Sequence, residues 1–296
     1  MNASSMSSAV AGVNKSLRVP VAPWLVVGWV AALIVFGYFP VIVRLARQWA
    51  TDDDMGHGFF VPVIAGWIAW QKLAEARAIP AMPDWRGLIL VIWGAVQLYI
   101  ATIGVELFLA RTALVITIIG AVWLLGGTRY LRIFAFPLFL LFFMVPIPAI
   151  IYTRITFPLQ ILASQVAEFS LNLLGIPVMR EGNVLELASM KLNVVEACSG
   201  IRSLLSLTFL SLVYGYFFEI SGGIRVILFL STIPIAIAAN AGRVTITGLL
   251  AQVNPNLAEG AVHEAEGWVI FMIALLIMVA FHQILKRGWA MIQRRR

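Results

Sequence analysis

Cys198, Arg243 and His263 are the residues of this chain whose types together suit acyl chemistry. Cys198 is the only cysteine, set in Val194-Val195-Glu196-Ala197-Cys198-Ser199-Gly200-Ile201-Arg202-Ser203 at the start of a long apolar run. A thiol attacks a carbonyl as the thiolate, so it needs a base for its proton and a fixed positive charge for the oxyanion. Ser199 suits the N-cap of the helix that follows, and a helix N-terminus lowers a thiol pKa. Arg202, one turn on, adds to that effect, and the small residues after the cysteine leave room for a substrate backbone. A lone cysteine beside a membrane helix otherwise reads as a small hydrophobe. What matters is whether a cation and a base reach the same place.

Arg243 lies in Ala239-Asn240-Ala241-Gly242-Arg243-Val244-Thr245, inside an apolar run that begins near Arg225. Eighteen residues of helix between the two arginines rise about 27 Å, which carries Arg243 to the far membrane interface. An arginine at that depth needs a partner or a watery cavity; it either snorkels to the headgroups or serves as a fixed cation for an oxyanion or a substrate carboxylate. His263, in Gly260-Ala261-Val262-His263-Glu264-Ala265-Glu266-Gly267, precedes the last apolar run, and an imidazole that titrates near neutrality is the usual partner of a thiol nucleophile. Asn240 is three residues before Arg243, in reach as a hydrogen-bond partner. Glu196, two before the cysteine, faces either the site or solvent. Asp52, Asp53 and Asp54 with His57 supply too few ligands for a metal and read as a solvated loop, with His57 alternatively shaping a substrate site. No cofactor or metal is called for.

The elements that must position these residues are membrane helices. The chain is 61% hydrophobic and 12% charged, outside the range of a soluble domain. Its net charge of +7 fits cytoplasmic loops rather than nucleic acid. One cysteine excludes an intramolecular disulfide. The spacing predicts about eight transmembrane helices over roughly 24–43, 59–73, 87–105, 107–125, 131–151, 201–218, 224–250 and 267–285. The first is too long for a signal-peptide core and is read as retained. An N-terminus in the cytoplasm puts 13 of the 21 basic residues on the inner side, so both termini are expected inside. Residues 1–23 and 286–296 then form cytoplasmic tails around one integral-membrane domain, 24–285. Membrane lipid is its surrounding partner, and no particular oligomeric state is implied. The expected fold is all-α and polytopic.

Between the fifth and sixth spans lies a long extracytoplasmic segment. Gln160, Ser164, Glu168 and Asn172 recur every four residues and predict an amphipathic helix over 155–175 in the outer interface. Glu181-Gly182-Asn183 is a turn between short β-prone runs and predicts a small β-hairpin that ends at the cysteine. Glu106 and Arg111, between the third and fourth spans, are expected as an interfacial or inter-helix ion pair. Under this topology Cys198, Arg243 and His263 arrive at one membrane face from three consecutive spans.

Cys198 in Ala-Cys-Ser-Gly-Ile-Arg-Ser, Arg243 in Asn-Ala-Gly-Arg-Val and His263 before the last span resemble the Cys-Arg-His signature of exosortases. These are multi-spanning bacterial enzymes that process proteins with a C-terminal Pro-Glu-Pro sorting signal. The resemblance extends to Asp52-Asp53-Asp54-Met55-Gly56-His57-Gly58-Phe59-Phe60-Val61-Pro62 and covers about 24–285. It implies a cysteine peptidase or transpeptidase of the bacterial inner membrane, active at its periplasmic face on exported proteins and linked to protein sorting and envelope polysaccharide. Cys198 would form a thioester, Arg243 would hold the oxyanion, and His263 would protonate the leaving amine and then activate the acceptor. Two other classes remain open. A secondary transporter would also place charges near helix breaks, with Pro234 marking a discontinuous helix, although its site belongs near the midplane. A scaffold for envelope polysaccharide assembly would need no chemistry of its own.

Overall fold

Apolar runs interrupted by Gly and Pro fold into helices, and the chain is mostly helical. A computed structural model describes residues 23–188, 190–194, 201–258 and 260–294. The chain divides into two compact units: the residues up to Arg44 with Leu73–Ala135, and Leu45–Lys72 with Phe136–Arg296.

The first unit is built on an antiparallel pair, α4 (Arg86–Ile103) and α5 (Leu107–Ile133), with α1 (Pro23–Gly37) against α5. Lipid supplies no hydrophobic drive between helices, so close packing and hydrogen bonds must hold them. Gly87, Gly94 and Gly120 let the two backbones approach: a Cβ at Gly120 would sit 2.8 Å from Val91 N, and one at Gly87 would overlap the Leu124 backbone. Gln97 Nε2 donates across the pair to Thr112 Oγ1 (2.7 Å) and Leu109 O (2.9 Å). Tyr38 shares a 2.7 Å hydrogen bond with Thr117 Oγ1. Glu106 is the N-cap of α5, its carboxylate accepting from Leu109 N at 2.6 Å, while Arg111 is buried one turn further in. Gly127 adopts φ +78 and kinks α5 where a Cβ would collide with Met82 O, so the position requires glycine.

In the second unit, a 3₁₀ turn, Asp53–Phe59, links α2 (Phe39–Thr51) to α3 (Phe60–Arg77). The chain then runs through α6 (Ala135–Leu140) and a 3₁₀ turn, Leu141–Met144, to α7 (Ala149–Leu173). An antiparallel sheet follows, of β1 (Val178–Glu181), β2 (Val184–Leu187) and β3 (Lys191–Asn193) in the order β1-β2-β3. Its first turn pairs Glu181 with Val184 around Gly182, whose φ of +65 suits a two-residue hairpin. The last helices are α8 (Ile201–Phe218), α9 (Gly222–Val253) and α10 (Gly260–Arg294). They pack around Leu207, Leu228, Ala236, Ala274 and Met278. At the end where α8 passes to α9, buried His282 joins them, its Nε2 3.0 Å from Glu219 Oε2 and its Nδ1 3.0 Å from Tyr214 OH.

Among the described residues, four helices are long and apolar enough to cross a membrane: α4, α5, α9 and most of α10. The number rises to six if each of two bent pairs counts as one span. The expected first span is such a pair, bent by 69° between α1 and α2. The expected fifth span, 131–151, is not one helix. α5 carries on to Ile133, and the chain turns by 86° between the segment Ala135–Met144 and α7. Pro146 and Pro148 cause the break, since neither can donate a backbone hydrogen bond and each pushes its predecessor out of the helical region. The expected sixth span, α8, is a shorter apolar helix.

The helix expected over 155–175 begins earlier, at Ala149, and its polar stripe meets protein. Glu168 pairs with Arg180 Nε of β1 at 2.8 Å, Asn172 Oδ1 accepts from Val178 N, and Ser164 Oγ donates to Gly182 O at 3.3 Å. Gln160 is buried as well. The expected hairpin is there with a third strand added. Together α7, the sheet and α9 enclose Ala167, Leu171, Leu185, Leu187, Leu192, Val194 and Val244.

Candidate active site

The chain reverses between α9 and α10 because Asn254 precedes Pro255 and takes an extended backbone (φ −158, ψ 118) that ends the helix. A 3₁₀ turn, Pro255–Ala258, follows, and α10 runs back along α9. This places Arg243, ten residues before the end of α9, opposite His263 in the first turn of α10. Arg243 Nη2 donates to His263 Nε2 at 2.8 Å and approaches His263 O at 3.4 Å. Gly267, one turn after His263, makes room for the guanidinium, since a Cβ there would lie 3.1 Å from Arg243 Cζ and Nη2. Arg243 Nε is buried and has no hydrogen-bond partner among the described residues.

A guanidinium only donates, so Nε2 presents its lone pair and the imidazole proton sits on Nδ1; this tautomer is assigned from the donor chemistry. On that side Nδ1 lies 3.5 Å from Glu266 Oε2, with both side chains largely buried. Thr247 Oγ1 approaches both Glu266 oxygens, at 3.1 and 2.9 Å, and also lies 3.0 Å from Arg243 O. The site is thus a chain of polar groups, Arg243, His263, Glu266 and Thr247, closed between two helices.

The other predicted residues fall in different surroundings. Arg202, in the first turn of α8, pairs through Nε with Asp54 Oδ1 at 3.3 Å. Tyr152 of α7 donates to Asp54 Oδ2 at 2.5 Å, so one aspartate in the α2–α3 turn ties two later helices. Asp52 caps that turn by accepting from Asp54 N. His57 lies in the same turn, where burial holds its imidazole below the usual range against the pull of the Phe143 and Asp54 carbonyls and the Asp54 carboxylate. Asn240 is buried one turn before Arg243, beside a small cavity with Leu159, Leu204 and Ile237; the guanidinium's hydrogen bonds among the described residues go to His263 instead. Cys198 and Glu196 lie outside the described residues. On one side of them Val194 is buried in the same cluster as Val244, the neighbour of Arg243; on the other stands Arg202.

Sequence reasoning does not single out Glu266, Thr247 or Gly267 beside Arg243 and His263, nor Tyr152 as the partner of Asp54. Helical spacing carried a signal for two of them, since Glu266 follows His263 by three and Thr247 follows Arg243 by four.

These features define a multi-pass helical membrane protein with a guanidinium–imidazole pair between its last two helices. A family model described as transmembrane exosortase matches residues 49–280, and the chain belongs to that family. Comparison with curated proteins and with solved structures returned no match.

Proposed function

We propose that this chain is a membrane cysteine peptidase or transpeptidase that cleaves the C-terminal Pro-Glu-Pro (PEP-CTERM) signal of exported proteins through a thioester on Cys198. The observation that carries this is the 2.8 Å contact of Arg243 with His263 Nε2, together with Arg243 Nε, which has no partner among the described residues. A guanidinium stands beside an imidazole, the pairing that thiol acyl transfer needs.

In the resting site Arg243 occupies the lone pair of Nε2. A substrate carbonyl that accepts from the guanidinium draws Nη2 away and frees that lone pair for the thiol proton. Sulfur then bonds the carbonyl carbon, and Arg243 holds the oxyanion. His263 returns the proton to the leaving amine as the C–N bond breaks. The thioester passes the acyl group to water or to another nucleophile, whose proton goes to Nε2 and finally back to sulfur. Residues 24–285 act as one integral-membrane domain of the bacterial inner membrane. Eight crossings, counting α3 and α8 and both bent pairs, would leave both termini cytoplasmic and the site at the periplasmic face.

The test is mass spectrometry of the detergent-purified protein, wild type and His263→Ala, after incubation with a peptide that carries Pro-Glu-Pro, an apolar tail and a basic end. The expected result is the N-terminal peptide fragment attached to Cys198. No adduct and no cleavage, with the thiol still open to alkylation, would return the chain to the transporter and scaffold readings.

A further inference from the structure

We propose that Glu266, held by Thr247, is the positioning carboxylate of the site: it fixes the His263 tautomer and stabilises the imidazolium that forms when Cys198 loses its proton. This rests on the acyl-transfer reading above. The geometry behind it is separate from Cys198. Glu266 is buried, its carboxylate facing His263 Nδ1 at 3.5 Å, and both of its oxygens lie within hydrogen-bond distance of Thr247 Oγ1.

A carboxylate buried in a membrane helix is costly unless it has a partner; of the two glutamates in this turn Glu264 is exposed, whereas Glu266 is buried against His263 and Thr247. Spacing of three residues on one helix lets Glu266 meet the imidazole without any loop to hold it. The neutral ring needs Nδ1–H so that Nε2 can take a proton; an acceptor opposite Nδ1 selects that tautomer. Once Nε2 takes the thiol proton, the ring is cationic, and the adjacent carboxylate offsets that charge between two largely buried side chains. The proton itself travels from sulfur to Nε2 and on to the leaving amine. Glu266 takes no part in that transfer.

Because the chain has a single cysteine, alkylation reports Cys198 alone. The experiment follows the rate of iodoacetamide modification of the full-length protein in detergent against pH, beside cleavage of the Pro-Glu-Pro peptide. Glu266→Gln keeps an oxygen for Thr247 to donate to and so preserves packing. It is expected to move the alkylation midpoint by about one pH unit, the scale of a lost neighbouring charge, and to lower cleavage at neutral pH about tenfold. Glu266→Asp should recover part of both. Thr247→Val, which leaves the carboxylate in place but unheld, should shift the profile the same way by less, and reads the positioning independently should Glu266→Gln unfold. A profile that moves in His263→Ala but not in the Glu266 and Thr247 variants overturns the role of Glu266 and leaves acyl transfer standing. A profile indifferent to His263→Ala as well overturns the thiol–imidazole pairing beneath it.

Discussion

Under the proposed mechanism Arg243 would meet two demands with one guanidinium: Nη2 contacts His263 Nε2 at rest, and Nε, which has no partner among the described residues, would take an incoming oxygen, so that substrate binding and release of Nε2 are the same movement. The lack of a Cβ at Gly267 permits that movement, since any larger residue would press on the guanidinium. His57 poses a different problem, one of protonation. Burial lowers its pKa, so below the ordinary value near 6.5 the unfolded chain takes up a proton that the folded protein refuses. Stability is therefore whole above about pH 6.5 and declines as pH falls from there toward the folded value. His57→Gln has no such proton to refuse. Thermal unfolding in detergent is expected to show wild type losing more stability than the variant as pH falls below about 6.5; parallel curves would show that burial of His57 has no energetic weight.

Among the elements, the α4–α5 pair shows how closely this fold depends on small residues. Gly87 and Gly120 stand where the two backbones touch, and a methyl group at Gly87 has only main-chain atoms to displace. Such overpacking costs about 1–3 kcal/mol, so Gly87→Ala should lower the melting temperature of the purified protein by several degrees. Gly28→Ala, on α1 with open space around it, should not. Equal melting temperatures would mean the pair is loosely packed. Element type was legible in the sequence wherever apolar runs were long, and the polar stripe of α7 was legible as well. What met that stripe was not. A four-residue period reports that one helix face is polar, whereas the partner is a sheet built from the next 20 residues, through Glu168 with Arg180 and Asn172 with Val178. Pro146 and Pro148 carried the signal for the break in the expected fifth span, and the surrounding hydrophobicity masked it.

For the whole molecule the prediction concerns sidedness, the face of the membrane on which the thiol lies. The proposed topology puts the single thiol outside. An impermeant maleimide on intact cells that express the protein should label Cys198, and Cys198→Ala should abolish the signal. Labelling only after permeabilisation would place the cysteine on the inner side and invert the proposed arrangement.

Composition alone determined the membrane class, because 61% hydrophobic residues leave no way to cover a soluble surface. Residue type and motif alone determined the family and singled out Arg243 and His263. Only the tertiary structure decided that these two meet at 2.8 Å, that Glu266 and Thr247 complete their chain, and that Asp54 reaches Arg202 across 148 residues instead of sitting in a solvated loop. The physical reason is range. Side-chain periodicity and caps act over three or four residues, so they write helices and turns into the local sequence. A hydrogen bond between distant helices depends on where proline breaks and glycine contacts send whole elements, and no local pattern records that.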